Sequence, residues 1–210
     1  MNPAPPVTTI FTVRVYHASL IRRLVPMVVN ACTQPPERTQ AARRSTSGRL
    51  RSSRMTRDTT MASSDALEAI RKLLYRYCEL MDAGEFAELA ALFADAVVVD
   101  EAGNAVAEGR TGVQALYERG TRLYDGSPRT RHLTSNSIID VDPATGTASA
   151  RSVYVVFQAT DNLALQPIIS GRYRDRFAQA EDGTWHFVER SFSVDLVGDL
   201  SQHLRYDVPT

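Results

Sequence analysis

The segment Pro128-Arg129-Thr130-Arg131-His132-Leu133-Thr134-Ser135-Asn136 marks the point at which this 210-residue sequence changes from helical to β patterns. Before it, apolar residues recur every three or four positions, and after it come long β-rich runs separated by turn residues. His132 enters the first of these runs, and Asp82 leaves the first apolar helix. These two residues are placed for acid–base chemistry, and we expect the rest of the chain to form a pocket around them.

Three helices are predicted before this segment. Asp65-Ala66-Leu67-Glu68 has the capping-box pattern, an acceptor followed three residues later by glutamate, and predicts a helix over residues 65–82. Residues 85–93 predict a second, short helix. A third is expected to begin with Thr111 as its cap and to end at Asp125. The residues expected to pack inward from these helices are Leu67, Ile70, Leu74, Tyr77, Met81, Phe86, Leu89, Leu92, Phe93, Val113, Leu116, Tyr117 and Leu123.

The remaining pattern predicts strands. Val97-Val98-Val99 indicates a short strand before the third helix. Four long strands follow the opening segment, over residues 131–142, 147–160, 165–180 and 184–196. In the third of these strands, Arg172, Arg174 and Arg176 alternate with Tyr173 and other residues, which predicts that the arginines lie on a solvent-exposed face and that the opposite face is packed against the core. Helices followed by antiparallel strands predict an α+β fold, in which three N-terminal helices pack on a curved, mostly antiparallel sheet and close it into a cone.

Charge separates a tail from the folded part. Residues 1–60 contain ten arginines, no lysine and two acids, so residues 61–210 hold 14 basic and 22 acidic side chains, a net charge of about −8. The tail mixes Pro, Ser, Thr and Arg without a sustained period, which predicts disorder over residues 1–60 and one domain over residues 61–210. Such a tail has the composition of a transit peptide, or it precedes a true start at Met55 or Met61.

Composition also narrows the function classes. An acidic domain repels phosphate backbones, so nucleic-acid binding is not expected. Arg22 and Arg23 interrupt the one early apolar stretch, so no membrane span is expected. Cys32 and Cys78 cannot form a disulfide framework or a zinc pattern, which fits a reducing compartment and a soluble, cytoplasmic protein.

Several motifs together resemble the SnoaL-like branch of the nuclear transport factor two-like superfamily over about residues 65–204. They are Leu-Leu-Tyr-Arg-Tyr-Cys-Glu-Leu-Met-Asp-Ala-Gly-Glu-Phe at 73–86, Leu-Phe-Ala-Asp-Ala at 92–96, Gly-Arg at 109–110, Thr-Arg-His at 130–132 and the stretch from Asp-Gly-Thr-Trp to Arg at 182–190. The resemblance implies a cone-shaped domain with one deep, mostly apolar pocket, often a homodimer. Its members include scytalone dehydratase, bile-acid dehydratases, ketosteroid isomerase, polyketide cyclases and non-catalytic domains, and fold alone does not choose among them.

The resemblance also implies site residues. Asp82 and His132 match the acid–base pair of the dehydratases, Tyr77 matches a pocket aromatic, and Arg190 lies where relatives have a pocket or rim arginine. Scytalone dehydratase has a second histidine on the next strand, and an ungapped count puts Phe157 there, with Val155 at the inward position before it. The catalytic residues predicted are Asp82, His132 and Tyr77. The substrate-binding residues predicted are Tyr173, Arg190, Phe157, Val155, Phe93 and Tyr117.

Each of these roles has a structural alternative. His132 could bond a loop carbonyl, and Asp82 could bond the amides of the turn after its helix. Tyr77 lies about 140° from Asp82 on a regular helix, so it could be a core residue. Arg190 could offer a fixed charge to an oxyanion or form a surface pair with an acid.

Other chemistry has little support in the sequence. His17, His186 and His203 are too scattered for a metal site, and we expect neither metal nor cofactor.

Two functions are therefore open. One is a lyase or isomerase in which Asp82 orients His132 and His132 acts as base and then as acid on a small, largely apolar cyclic hydroxy- or keto-compound. The other is a binding or assembly domain that uses the same pocket without turnover, which the missing second histidine favours. An epoxide hydrolase or a dioxygenase subunit is a more distant third.

Overall fold

A computed structural model describes the backbone of residues 54–206 and the side chains of residues 64–206. The described helices are α1 (Arg54–Ala83), α2 (Phe86–Ala91) and α3 (Gly109–Gly120), and the strands are β1 (Val97–Val99), β2 (Ala105–Glu108), β3 (Thr130–Asp142), β4 (Thr147–Thr160), β5 (Leu163–Gln179) and β6 (Trp185–Val197). Of the predicted tail, residues 1–53 lie outside the described residues, and residues 54–60 belong to α1.

Both predicted helix caps are wrong. Asp65 lies inside α1, because residues 54–64 contain no proline or glycine that would stop the helix from extending in the N-terminal direction. Thr111 lies inside α3, which begins at Gly109 after the extended residue Glu108. Leu123, expected to pack inward, lies beyond the end of α3 and is 38% exposed.

The six strands form one mixed sheet in the order β2-β1-β6-β5-β4-β3. Neighbouring strands are antiparallel except β1 and β6, which run parallel. The prediction missed β2, a four-residue strand that pairs with β1 directly after a turn. Because β1 and β2 both precede α3 in the chain, the expectation of three N-terminal helices is not confirmed.

The four long strands end within two residues of their predicted limits. In β5 the alternation is as predicted, since the three arginines are exposed while Tyr173, Asp175 and Phe177 are buried. The core lies between this buried face and the helices, and α1 packs chiefly against β3. That packing brings the end of α1, where Asp82 lies, next to the start of β3.

After β6 the chain folds back as a C-terminal segment, residues 198–206. The backbone amide of Arg122 donates to the carbonyl of His203 at 2.8 Å, and the amide of Arg205 donates to the carbonyl of Gly120 at 3.0 Å. From the other side, Gln158 Nε2 donates to the carbonyl of residue 202 at 3.0 Å. The C-terminal segment is therefore held against the loop that follows α3 and against β4. None of the helices in the part of the chain that the structure describes is long and apolar enough to cross a bilayer.

Candidate active site

The side chain of Asp82 forms hydrogen bonds with the first residues of β3. Its Oδ1 accepts a hydrogen bond from Thr130 Oγ1 at 2.8 Å, and its Oδ2 accepts one from the backbone amide of His132 at 2.9 Å. His132 Nδ1 lies 2.6 Å from Asp82 Oδ1, and both side chains are less than a tenth exposed. The amides of the turn after α1 are instead bonded by backbone carbonyls, so the Asp82 side chain is not the cap of that turn.

These contacts fix the charge of Asp82. Burial disfavours the carboxylate, but the hydrogen bonds from the ring and the amide of His132 and from Thr130 outweigh it and lower the pKa of Asp82. A carboxylate at this distance keeps the proton of the neutral imidazole on Nδ1. The lone pair of His132 is then on Nε2.

A cavity of about 160 Å³ lies beside this pair, bounded by α1, α3, the buried face of the sheet and the C-terminal segment. A dry apolar cavity of about this size accommodates a benzene-sized ligand. Five of the predicted site residues line it, namely Tyr77, Tyr117, His132, Tyr173 and Arg190. Apolar groups such as Val156, Ile169, Phe192 and Leu200 form much of the remaining wall.

Tyr77 reaches the cavity although it lies far around the helix from Asp82. Its hydroxyl is 3.0 Å from the hydroxyl of Tyr117, and its ring centroid is 6.5 Å from that of His132. Burial, followed by the proximity of Tyr77, raises the pKa of Tyr117 well above its usual value, so this hydroxyl is protonated at neutral pH. Tyr77 is also 4% exposed and part of the core, so the packing role and the cavity role coincide.

Arg190 forms a buried ion pair rather than a surface pair. Its Nε and Nη2 donate to the two carboxylate oxygens of Asp175 at 2.7 and 3.0 Å. The rings of Tyr77 and Tyr173 each lie with their centroid 4.2 Å from the guanidinium carbon. Burial opposes the charge, but the Asp175 carboxylate raises the pKa of Arg190 above its ordinary value. Arg190 is therefore a permanent positive charge behind the tyrosine side of the cavity.

Three predicted substrate-binding residues are not in the cavity wall. Val155 and Phe157 lie on the opposite face of β4, where burial alternates so that Tyr154, Val156 and Gln158 are the inward residues. Val156, rather than Phe157, is the residue paired with His132, and a shift of one residue along a strand changes the face on which a side chain lies. Phe93 is fully buried in the core, where its ring stacks on that of Phe187.

His203 is a cavity residue that the sequence analysis did not place in the site. It lines the same cavity from the C-terminal segment and is 8% exposed. Its Nδ1 is buried and has no hydrogen-bond partner among the described residues. Burial, and then the nearby His132, lower the pKa of His203 to about 4, so the ring is neutral at pH 7. The apolar residues Leu200 and Leu204, three before and one after it, were the signal that this segment packs inward.

Solved structures share this fold. An NTF2-like protein with a cystatin-like fold from Novosphingobium aromaticivorans is 21% identical, with a TM-score of 0.57 over 69% of this chain and 92% of its own. A protein from the same organism, named as a candidate scytalone dehydratase, is 26% identical, with a TM-score of 0.54 over 71% of this chain and 93% of its own. Rv3472 of Mycobacterium tuberculosis, named as a protein of unknown function, is 25% identical, with a TM-score of 0.54 over 65% and 75%.

The fold is thus of the NTF2-like class. The sequence profile of the SnoaL-like domain matches residues 62–191, more than half of the chain, and the chain belongs to this family. No curated protein sequence matches it. Within residues 64–206, no group of three or more His, Cys, Asp or Glu side chains is arranged to hold a metal ion.

Proposed function

We propose that this protein is an acid–base lyase or isomerase of the dehydratase kind that needs no cofactor and acts on a small, largely apolar cyclic hydroxy- or keto-compound. The observation that carries the proposal is the 2.6 Å contact between Asp82 Oδ1 and His132 Nδ1 at the wall of an apolar cavity. A buried carboxylate beside an imidazole fixes its tautomer and stabilises the imidazolium that forms when the ring takes up a proton. The domain would have the cone shape of its superfamily, with the cavity at its centre.

In the proposed reaction, His132 Nε2 removes a proton α to a carbonyl group. The electron pair of the broken C–H bond forms an enolate, whose oxygen is held by the Tyr77 or Tyr173 hydroxyl. The Arg190 charge behind these rings favours the enolate electrostatically. When the enolate collapses, a β-hydroxyl leaves and takes the proton from the imidazolium as water; in an isomerase the same proton returns to another carbon.

The cavity wall supports this substrate class. Aromatic and aliphatic side chains supply most of its surface, and the polar groups are the two histidines, the tyrosine hydroxyls, Thr121 and Arg190. Apolar walls bind a hydrocarbon ring and exclude water, while a few convergent polar groups orient its oxygen. A low-dielectric site also strengthens the interaction of the imidazolium with Asp82.

One observation favours the alternative of a binding domain without turnover. The residue paired with His132 on the neighbouring strand is Val156, so β4 supplies no second acid–base group at that position. A domain that only binds would use the same apolar wall and would tolerate the loss of proton transfer.

A ligand panel separates the two functions. Single-ring hydroxy-ketones, aryl ketones and monoterpenoid alcohols are tested for a ligand-induced shift in melting temperature and for conversion without added cofactor, with wild type, His132→Ala and His186→Ala. His186 is the matched control, a β6 histidine outside the cavity wall. The proposal predicts that His132→Ala still binds ligand but loses conversion by at least ~10²-fold, the scale of general acid–base catalysis. Strong binding of a ligand by wild type with no conversion of any compound would support the binding domain instead.

A further inference from the structure

His203 gives the cavity a second imidazole whose chemistry differs from that of His132. Its Nδ1 is buried and has no partner among the described residues, a condition that its Nε2 does not share, and the residue lines the cavity. A buried N–H without an acceptor is among the costliest polar groups in a protein. The neutral ring therefore places its proton on Nε2, leaving the unpartnered Nδ1 as a bare lone pair.

The backbone that carries this ring is held in position, and His203 as a whole is 8% exposed. The Arg122 amide donates to the carbonyl of His203, and the Gln158 side chain and the Tyr124 hydroxyl donate to the carbonyl of residue 202, the latter at 2.7 Å. Arg205 donates from its amide and its side chain to the carbonyls of residues 120 and 121. Leu200 on the same segment is 7% exposed and packs in the core. An oriented donor that needs no reorganisation is the kind of group that stabilises developing charge best.

We propose that His203 is a further catalytic residue, a neutral hydrogen-bond donor whose Nε2–H contacts the carbonyl oxygen of the substrate. The inference rests on the proposed function, because it assigns the group that polarises the carbonyl while His132 removes the α-proton. The two imidazoles are then complementary: Asp82 keeps the proton of His132 on Nδ1 and leaves Nε2 as an acceptor, whereas His203 presents Nε2–H as a donor.

Two further observations favour this assignment. The pKa of His203, lowered by burial and by His132, keeps the ring neutral at the pH at which His132 must work, as a carbonyl-polarising imidazole requires. Some neighbouring donors are already engaged, since one of the Tyr77 and Tyr117 hydroxyls donates to the other at 3.0 Å and the Tyr154 hydroxyl donates to the carbonyl of Ser193 at 3.0 Å. The second hydroxyl of that pair and Arg190 Nη1, which has no hydrogen-bond partner among the described residues, are further donors at the cavity, and the His203 variants below separate their contribution from that of His203. A ligand oxygen therefore meets His203 without displacing an existing hydrogen bond of that ring.

The test compares two probes of the same shape, acetophenone and α-methylstyrene, which differ in having a carbonyl oxygen or a methylene group. Dissociation constants are measured for wild type, His203→Phe, His203→Gln and the control His186→Phe. We expect wild type and the control to bind acetophenone about tenfold more tightly than α-methylstyrene, the scale of one buried hydrogen bond. His203→Phe should bring the ratio close to one, and His203→Gln, which retains an N–H, should preserve part of it.

The infrared carbonyl band of bound [carbonyl-¹³C]acetophenone supplies a readout that a purely structural role would not move. The band should lie at lower frequency in wild type than in His203→Phe, or in His203→Met if the phenylalanine variant does not fold. An unchanged ratio and band in a folded His203 variant would overturn the inference, as would failure of wild type to bind either probe. Neither readout needs turnover. A carbonyl band that depends on His203 in a protein that converts no compound would therefore support His203 as a hydrogen-bond donor and contradict the proposed lyase activity.

Discussion

Strand β3 and the C-terminal segment each bring one histidine to the cavity, and the two histidines have different surroundings. His132 lies against the Asp82 carboxylate, which also accepts hydrogen bonds from Thr130 and from the His132 amide. His203 has an apolar setting, no hydrogen bond to its Nδ1 among the described residues, and a pKa lowered to about 4 by burial and by His132. The difference teaches that the partner of an imidazole matters as much as its presence in a cavity: the ring of His132 is paired with a carboxylate, and the ring of His203 stays neutral at pH 7.

The largest effect on turnover is expected from substitutions in the Asp82 and His132 pair. Asp82→Asn and His132→Ala should each lower turnover by at least ~10²-fold, since one removes the group that orients the base and the other removes the base. If the pair acts as a unit, the double variant should lose little more than His132→Ala alone. Steady-state kinetics on the best substrate of the panel would measure this. Losses that multiply would show that the two residues act independently.

The buried, neutral ring of His203 predicts that the protein becomes less stable as the pH falls. Because its pKa is about 4 in the folded protein and about 6.5 when unfolded, the unfolded state takes up a proton first as the pH falls. This contribution is complete above pH 6.5 and is lost between pH 6.5 and 4, so the free energy of unfolding should fall by roughly 2–3 kcal/mol between pH 7.5 and 4.5. Urea unfolding of wild type and His203→Phe at the two pH values would measure it. A wild-type slope equal to that of the variant would contradict the prediction.

A smaller effect should follow from weakening the support of Asp82. Thr130→Val keeps the shape of a residue that is 7% exposed but removes the hydroxyl that donates to Asp82 Oδ1 at 2.8 Å. We expect a loss of about 1 kcal/mol in the free energy of unfolding and a rise in the pKa of Asp82. Thr134→Val is the matched control on the same strand, since among the described residues its hydroxyl forms a hydrogen bond only with the Cys78 thiol, at 3.3 Å. Equal effects in the two variants would show that the carboxylate does not depend on Thr130.

The smallest effect is expected at Arg131, which lies close to Asp82 but outside its hydrogen-bond network. Its Nη1 is 4.0 Å from Asp82 Oδ2 and its side chain is 74% exposed. Solvent screens such a pair, so Arg131→Ala should change the free energy of unfolding by less than about 0.5 kcal/mol and turnover by less than about twofold. Chemical unfolding and the same kinetic assay would check this. A loss comparable to that of Asp82→Asn would place Arg131 inside the catalytic unit.

Periodicity predicted those parts of the fold in which local sequence and burial agree. The four long strands were placed within two residues, because alternation along β4 and β5 reports directly which face is buried. The Asp82 and His132 pair was predicted from the family pattern, and the structure brings the two side chains into contact. Helix beginnings were predicted less well, since Asp65 and Thr111 have the residue types of caps but lie within helices whose sequence allows earlier starts.

The sequence by itself thus determined the four long strands and the buried face of β5, because these depend on spacing along the chain, and its resemblance to a family indicated the candidate acid–base pair. Tertiary structure decided what depends on registration between distant elements. The pairing of β3 with β4 places Val156, not Phe157, opposite His132, and a single-residue shift reverses the face of every side chain. The pairing of β5 with β6 puts Asp175 opposite Arg190 and buries their ion pair. The sequence alone left open whether Arg190 lies in the pocket or in a surface ion pair. Most of all, the return of the C-terminal segment carries His203 across 71 positions of sequence to the cavity of His132, a proximity that only the folded chain can create.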